Sequence, residues 1–87
     1  MSTLAEKFTT AQEQVKTLTA RPSNEELLAL YALYKQGTTG DVQGSRPSMF
    51  DLKGRAKFDA WTGKKGRSTV HAQQAYVDLV DRLARKG

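Results

Sequence analysis

Leu4, Phe8, Ala11, Val15 and Leu18 recur at alternating steps of four and three, the spacing that lines side chains along one stripe of an α-helix. This predicts an amphipathic helix from about Thr3 to Thr19 whose stripe must be buried against other helices. Arg21-Pro22-Ser23-Asn24 interrupts it. Ser23 or Asn24 suits the cap of a second helix, with Glu25 and Glu26 at its positive end, running to about Gln36. The apolar positions of that helix, Leu27, Leu28, Leu30, Tyr31, Leu33 and Tyr34, cover more than one stripe. So broad a face calls for contact on two sides. Either it is a central helix between two neighbours, or one side meets helices and the other meets a ligand.

From Gly37 to Gly54 the periodicity gives way to glycines, threonines, Asp41, Arg46-Pro47 and Ser48. A long loop follows, and Met49, Phe50 and Leu52 are expected to dock it onto the body. A short third helix is expected from Arg55 to Thr62, ending near Gly63. A fourth begins at Ser68, with Ala72, Ala75, Tyr76, Leu79, Val80 and Leu83 as its buried stripe and Arg82, Arg85 and Lys86 at its negative end. Repeats, low-complexity tracts and β-alternation are absent. The expected fold is all-α, four helices in one domain over residues 1–87.

Composition narrows the function. A chain of 87 residues without cysteine has neither disulfides nor thiolate metal sites to supplement a thin core, and the reducing cytosol suits it. The start Met1-Ser2-Thr3-Leu4 lacks the basic flank and apolar run of a secretory signal. No segment is long enough to span a bilayer, and Ser2 excludes N-myristoylation. A soluble, cytoplasmic protein is expected. The net charge of +5 favours anionic partners without choosing among nucleic acid, lipid head groups and polyphosphates.

Catalysis needs an activated nucleophile, an acid/base pair or a metal, and this chain offers one histidine, no cysteine and scattered carboxylates. An enzyme is not expected, nor are catalytic residues, a cofactor or a metal site. His71, near the third position of the last helix, reads as an exposed structural residue. The glycines at 37, 40, 44, 54, 63 and 66 match neither the Walker pattern nor the dinucleotide fingerprint, and read as turn and helix-end residues. Lys64-Lys65-Gly66-Arg67 reads as a solvated corner between helices. More pointed is the string Tyr31, Tyr34, Lys35, Gly40-Asp41, Arg46-Pro47, Lys53, Lys57 and Trp61. Tyr31 and Lys35 lie one helical turn apart with Tyr34 on the next ridge, so two phenols and an ammonium project from adjoining strips. A short helix carrying Lys53, Arg55 and Lys57 can bring one cation toward Lys35. Rings beside cations suit a ligand that is part nucleotide, its phosphates held by side chains rather than by a nest of amides.

The segments Tyr31-Ala32-Leu33-Tyr34-Lys35-Gln36, Thr39-Gly40-Asp41, Arg46-Pro47 and Lys53-Gly54-Arg55-Ala56-Lys57-Phe58-Asp59-Ala60-Trp61 resemble, in order and spacing, the central signature of the acyl-CoA-binding proteins. Phe8, Val15, Leu18, Pro22, Tyr76 and Val77 extend the similarity across essentially the whole chain. The resemblance implies an up-down-down-up four-helix bundle that carries long-chain acyl-CoA as a monomer, with transient contacts to membranes or acyl-CoA-using enzymes. It implies that Tyr31, Lys35 and Lys57 hold the ribose 3′-phosphate and that Tyr34 stacks near the adenine. Lys16 would meet the nucleotide, Tyr76 would contact the ligand, and Leu27 and Leu28 would line the acyl groove. Phe58 stands where Trp is commoner, Ser48 where Gly is usual, Gly37 where Ala is usual, and Gln12 at a position usually small and apolar.

Two other readings use the same residues. A basic helical nucleic-acid-binding domain would stack bases on Tyr34 and Trp61, and an interaction module would receive a partner helix on the broad face of helix two. The ordered tyrosine and lysine spacing favours the carrier over both, and nucleic acid is not expected as a partner.

Overall fold

Side-chain caps decide where the helices begin. The structure, a computed structural model, describes residues 2–86 and contains α1 (Leu4–Gln14), a 3-10 turn (Val15–Thr17), α2 (Asn24–Thr38), α3 (Leu52–Thr62) and α4 (Thr69–Lys86). The Thr3 hydroxyl accepts from the Glu6 amide at 3.2 Å while the Glu6 carboxylate accepts from the Thr3 amide at 3.0 Å. Ser23 and Glu26 repeat this reciprocal box at 3.1 and 2.8 Å, which makes Ser23 the cap of α2. Ser68 caps α4 by accepting from the His71 amide at 3.0 Å.

Three helix ends differ from the sequence expectation. α1 tightens into the 3-10 turn at Val15 instead of continuing to Thr19, and the Thr17 hydroxyl donates to the Gln14 carbonyl at 2.9 Å. α2 continues through Gly37, because α4 comes close there: Gln73 Nε2 donates to the Gly37 carbonyl at 2.8 Å, and a Cβ on Gly37 would lie 3.0 Å from Gln73 Cγ. α3 starts at Leu52 rather than Arg55, since the Asp51 carboxylate folds over the first turn and accepts from the Gly54 amide at 3.0 Å. Gly37 and Gly54 therefore lie within the last turn of α2 and the first turn of α3, helix-end residues as expected but inside the helices rather than in the loop. Gly40 and Gly44, with φ of 93° and 87°, do serve turns that other residues rarely adopt.

The core joins α1, α2 and α4 through Phe8, Ala11, Leu30, Leu33, Ala72, Tyr76, Leu79, Val80 and Leu83. Each fully buried leucine there contributes about 1.5–3 kcal/mol. Phe8 meets Tyr76 edge-on, with ring centres 5.1 Å apart at 85°. Gln12, half-buried on α1, turns its amide back to the Phe8 carbonyl at 3.3 Å.

Cross-helix pairs fix the directions of the chain. Glu26 meets Lys86 at 3.1 Å while Gly37 meets Gln73, so α2 and α4 are antiparallel. Tyr31 faces Lys57 while Lys35 faces Trp61, so α2 and α3 run the same way. Parallel neighbours require the chain to travel back along the whole of α2, about 22 Å for its 15 residues at 1.5 Å each. Residues 39–51 make that return, which is why the loop is long.

The crossover is clasped by its polar residues. Arg46 grips Asp59 with two bonds, Nε to Oδ1 at 2.9 Å and Nη2 to Oδ2 at 2.7 Å. Trp61 Nε1 donates to the Gly40 carbonyl at 2.8 Å. Asp41 Oδ1 accepts from the Gly66 amide at 2.8 Å and from the buried Gln36 Nε2 at 2.9 Å. The expectation that Met49, Phe50 and Leu52 dock the loop is corrected, because these three are exposed at 67%, 92% and 75%. With the loop held by hydrogen bonds and an ion pair, no apolar anchor is required.

α3 packs chiefly on α2, outside the α1–α2–α4 core, giving a slab of 42 × 28 × 15 Å. Its radius of gyration, 13.3 Å, exceeds the roughly 12 Å of a fully compact chain of this length. Among the described residues no helix is long and apolar enough to cross a membrane.

Candidate functional site

Between α2 and α3 lies an open furrow of about 530 Å³, lined by Arg21, Asn24, Leu27, Leu28, Tyr31, Leu52, Lys53, Ala56 and Lys57. Two helical stripes build it. Asn24, Leu27, Leu28 and Tyr31 are spaced by three, one and three on α2, while Leu52, Lys53, Ala56 and Lys57 are spaced by one, three and one on α3. The upper part, at Leu27, Leu28, Leu52 and Ala56, is apolar. Arg21, Lys53 and Lys57 add cations along it.

Each helix supplies a cation to a ring on the other. Lys57 Nζ lies 5.4 Å from the Tyr31 ring centre and Lys35 Nζ lies 4.8 Å from that of Trp61. Contacts of this kind hold an ammonium in place for about 0.5–1 kcal/mol at exposed positions. They leave its N–H donors available to an anion. Neither lysine enters an ion pair among the described residues, so neutralisation must come from solvent or from a bound anion. Trp61 itself is buried and fixed by its bond to Gly40, which gives Lys35 a rigid seat.

The expected residues fall into three groups. Leu27, Leu28, Tyr31, Lys53 and Lys57 line the furrow, and Lys35 extends it toward the C-terminal end of α2. Tyr34 sits at the rim of the core, 38% exposed, with its ring centre 6.1 Å from Phe8 and 6.5 Å from Tyr76. Tyr76 is buried behind it, and burial, then the neighbouring Tyr34, pushes its phenol above the ordinary range. Lys16 stands exposed on the 3-10 turn, outside the furrow lining. Arg46-Pro47 and Gly40-Asp41, prominent in the sequence string, belong to the clasp of the crossover instead. His71 is exposed, as expected.

Sequence reasoning missed Arg21, Asn24, Leu52 and Ala56 as lining residues. The signal for Leu52 and Ala56 was present: they pair with Lys53 and Lys57 in a stripe visible once α3 begins at Leu52. Nothing in the local sequence marked Arg21, which reaches the furrow from the α1–α2 connection.

A four-helix bundle with a parallel central pair and a cation-bearing furrow defines a ligand-binding architecture. Residues 5–80 match the sequence profile of the family described as acyl CoA binding protein. Acyl-CoA-binding protein homolog 1 of Caenorhabditis elegans is 57% identical over 79 residues, spanning 91% of this chain and 92% of the relative. The Drosophila melanogaster acyl-CoA-binding protein homolog is 48% identical over 83 residues, spanning 95% and 96%. The crystal structure of Oryza sativa Acyl-CoA-Binding Protein 2 superposes with a TM-score of 0.91 at 43% identity, covering 95% of this chain and 90% of that one. The chain belongs to the acyl-CoA-binding protein family, and its fold is the all-α bundle of that family.

Proposed function

We propose that the protein binds long-chain fatty acyl-CoA thioesters one at a time and carries them, as a monomer without a cofactor, in the cytoplasm. The observation that supports this best is the contact of Lys57 with Tyr31, both lining the furrow with the apolar Leu27 and Leu28, followed one turn further on by Lys35 over Trp61. An acyl-CoA is a polyanion joined to a detergent-like tail, and a carrier must neutralise one end while drying the other. Lys35, Lys57 and the Tyr31 hydroxyl form charge-assisted hydrogen bonds to the ribose 3′-phosphate. Tyr34 offers its ring to the adenine, and Leu27, Leu28 and Leu52 cover the first methylenes of the tail, with Lys53 at the rim. Tyr76 acts mainly through Tyr34, whose ring it backs, and Lys16 adds attraction for the nucleotide from the end of α1. The residues at this site bind and do not turn over.

Each methylene taken from water contributes about 0.8 kcal/mol, so burial of eight would supply roughly 6 kcal/mol before ordering costs. Affinity is therefore expected to climb with chain length. Free CoA lacks the tail and free fatty acid lacks the phosphates, so both bind far more weakly. Calorimetry on acyl-CoAs of increasing length tests this, and a flat series would remove the acyl half of the proposal. Equal affinity for a polynucleotide, collapsing with added salt, would transfer the site to nucleic acid.

A further inference from the structure

The two ends of the furrow are both polar, and the functional reading uses only one of them. Tyr31 faces Lys57, and α2 and α3 run the same way, so one turn back along both helices Lys53 stands level with Leu27 and Leu28. Asn24 and then Arg21 lie beyond, where the two helices begin. From Tyr31 back to Asn24 the furrow follows α2 for about 10 Å, at 1.5 Å per residue. Leu27, Leu28, Leu52 and Ala56 thus form an apolar strip bounded by the Tyr31–Lys57 contact at one end and by Arg21 and Asn24 at the other, with Lys53 alongside. No carboxylate lines this furrow, and neither Arg21 nor Lys53 enters an ion pair among the described residues. Of the carboxylates at the starts of the two helices, Asp51 caps α3, Glu26 holds the Ser23 amide and Lys86, and Glu25 is exposed outside the lining.

A plain alkyl tail gives this far end nothing to hold. Its terminal methyl accepts no hydrogen bond and carries no charge, so two cations and an amide at its destination add nothing to its binding. A tail that ends in a carboxylate matches all three. The planar fork of Arg21 fits the two oxygens of a carboxylate, the Asn24 amide offers N–H donors, and Lys53 adds a point charge. Such a tail also needs them, because a charge left unpaired against apolar surface is costly. A terminal hydroxyl would use Asn24 but leave the two positive charges unanswered. We propose that the far end of the furrow receives acyl-CoAs whose tails carry a second carboxylate at the terminal carbon, the monothioesters of dicarboxylic acids, and that Arg21 is the residue that reads it. This substrate class rests on reading the furrow as the acyl-CoA site, with the nucleotide toward Tyr31 and Lys57.

The test is calorimetry on the full chain and on Arg21→Met, which keeps a long apolar stem and removes the charge. The ligands are monothioesters from decanedioyl-CoA to hexadecanedioyl-CoA, each paired with the plain acyl-CoA of equal length, up to palmitoyl-CoA. The quantity read is the ratio of the two affinities within a pair, so that any general effect of the substitution on the fold or on the CoA end cancels. At the length whose end reaches Arg21, the ratio is expected to fall at least about fivefold from parent to Arg21→Met, the upper range for an exposed ion pair. Arg21→Lys, which restores the charge without the fork, is expected to recover part of that loss. A ratio that changes by less than about twofold at every length, with palmitoyl-CoA still bound by the parent, overturns the proposal and leaves the carrier reading standing. Equal loss of both members of each pair also overturns it, by assigning Arg21 to the CoA end of the ligand. A parent that binds neither member of any pair removes the carrier reading and this substrate class with it.

Discussion

Lys57 Nζ rests 5.4 Å from the centre of the Tyr31 ring, joining α3 to α2 by a cation and an aromatic face. One turn further along both helices the roles are exchanged, with Lys35 of α2 over Trp61 of α3. Because a cation and a ring alternate across the seam, two lysines, one from each helix, lie one turn apart along it.

Lys35→Ala is expected to weaken palmitoyl-CoA binding by about 1–3 kcal/mol, the worth of a hydrogen bond to a largely desolvated phosphate. Its stacking on the buried Trp61 ring carries about 1 kcal/mol of folding stability. Calorimetry and urea unfolding run side by side separate the two effects. A variant that binds as tightly as the parent would make Lys35 a solvated charge.

Tyr31→Phe keeps the ring that seats Lys57 and removes only the hydroxyl. Stability in urea should therefore stay nearly constant while ligand affinity falls by about 1 kcal/mol or more. If binding were unchanged, the phenol would have no part in holding the phosphate.

Trp61→Phe deletes the Nε1 donor to the Gly40 carbonyl and leaves a void in a buried position. The expected loss of folding stability is about 1–3 kcal/mol, read as a lower urea midpoint with an unchanged slope. Stability equal to the parent would show that the crossover does not depend on this bond.

Asp41 predicts a pH effect of definite sign. The Gly66 amide, then the Gln36 side chain, hold its carboxyl below the ordinary aspartate range. Between that lowered value and the ordinary one near about 3.9, the unfolded chain binds more protons than the folded chain, so stability rises with pH across this window. The contribution is complete above the ordinary value and lost as pH falls through the folded one. Asp41→Asn should therefore lie furthest below the parent at about pH 6 and approach it as the pH falls below the ordinary aspartate range. Since Glu6, Glu26 and Asp59 are shifted in the same direction, the informative quantity is the difference between the two chains. An equal difference above and below that range would contradict the assignment.

Much of this was legible in the sequence because it rests on local chemistry. The steps of four and three in α1 and the alternating stripe of α4 gave the helices, and Ser23-Asn24 followed by Glu25 and Glu26 marked where α2 starts, with the choice of Ser23 as cap left to the structure. The Tyr31–Lys35 spacing gave half of the site. The remainder depends on long-range packing that periodicity does not encode. Gly37 stays helical only because Gln73 of α4 bonds its carbonyl, and α3 gains its first turn because Asp51 caps it. Arg46 stood in the string of rings and cations, yet Asp59, thirteen residues on, occupies its guanidinium and ties it to the crossover. Met49 and Phe50 looked like packing material because hydrophobicity alone does not reveal whether a surface exists to receive them.

Among the helices, α3 packs chiefly on α2, while the other three share one core. A molecule lodged in the furrow would act as mortar for the least anchored wall. The energy of binding would then go partly into holding the building together: at free ligand about a hundredfold above Kd, roughly 2.7 kcal/mol of added resistance to unfolding. Loaded and empty carrier would thus differ in rigidity, and the difference would be concentrated in the helix that forms one side of the doorway.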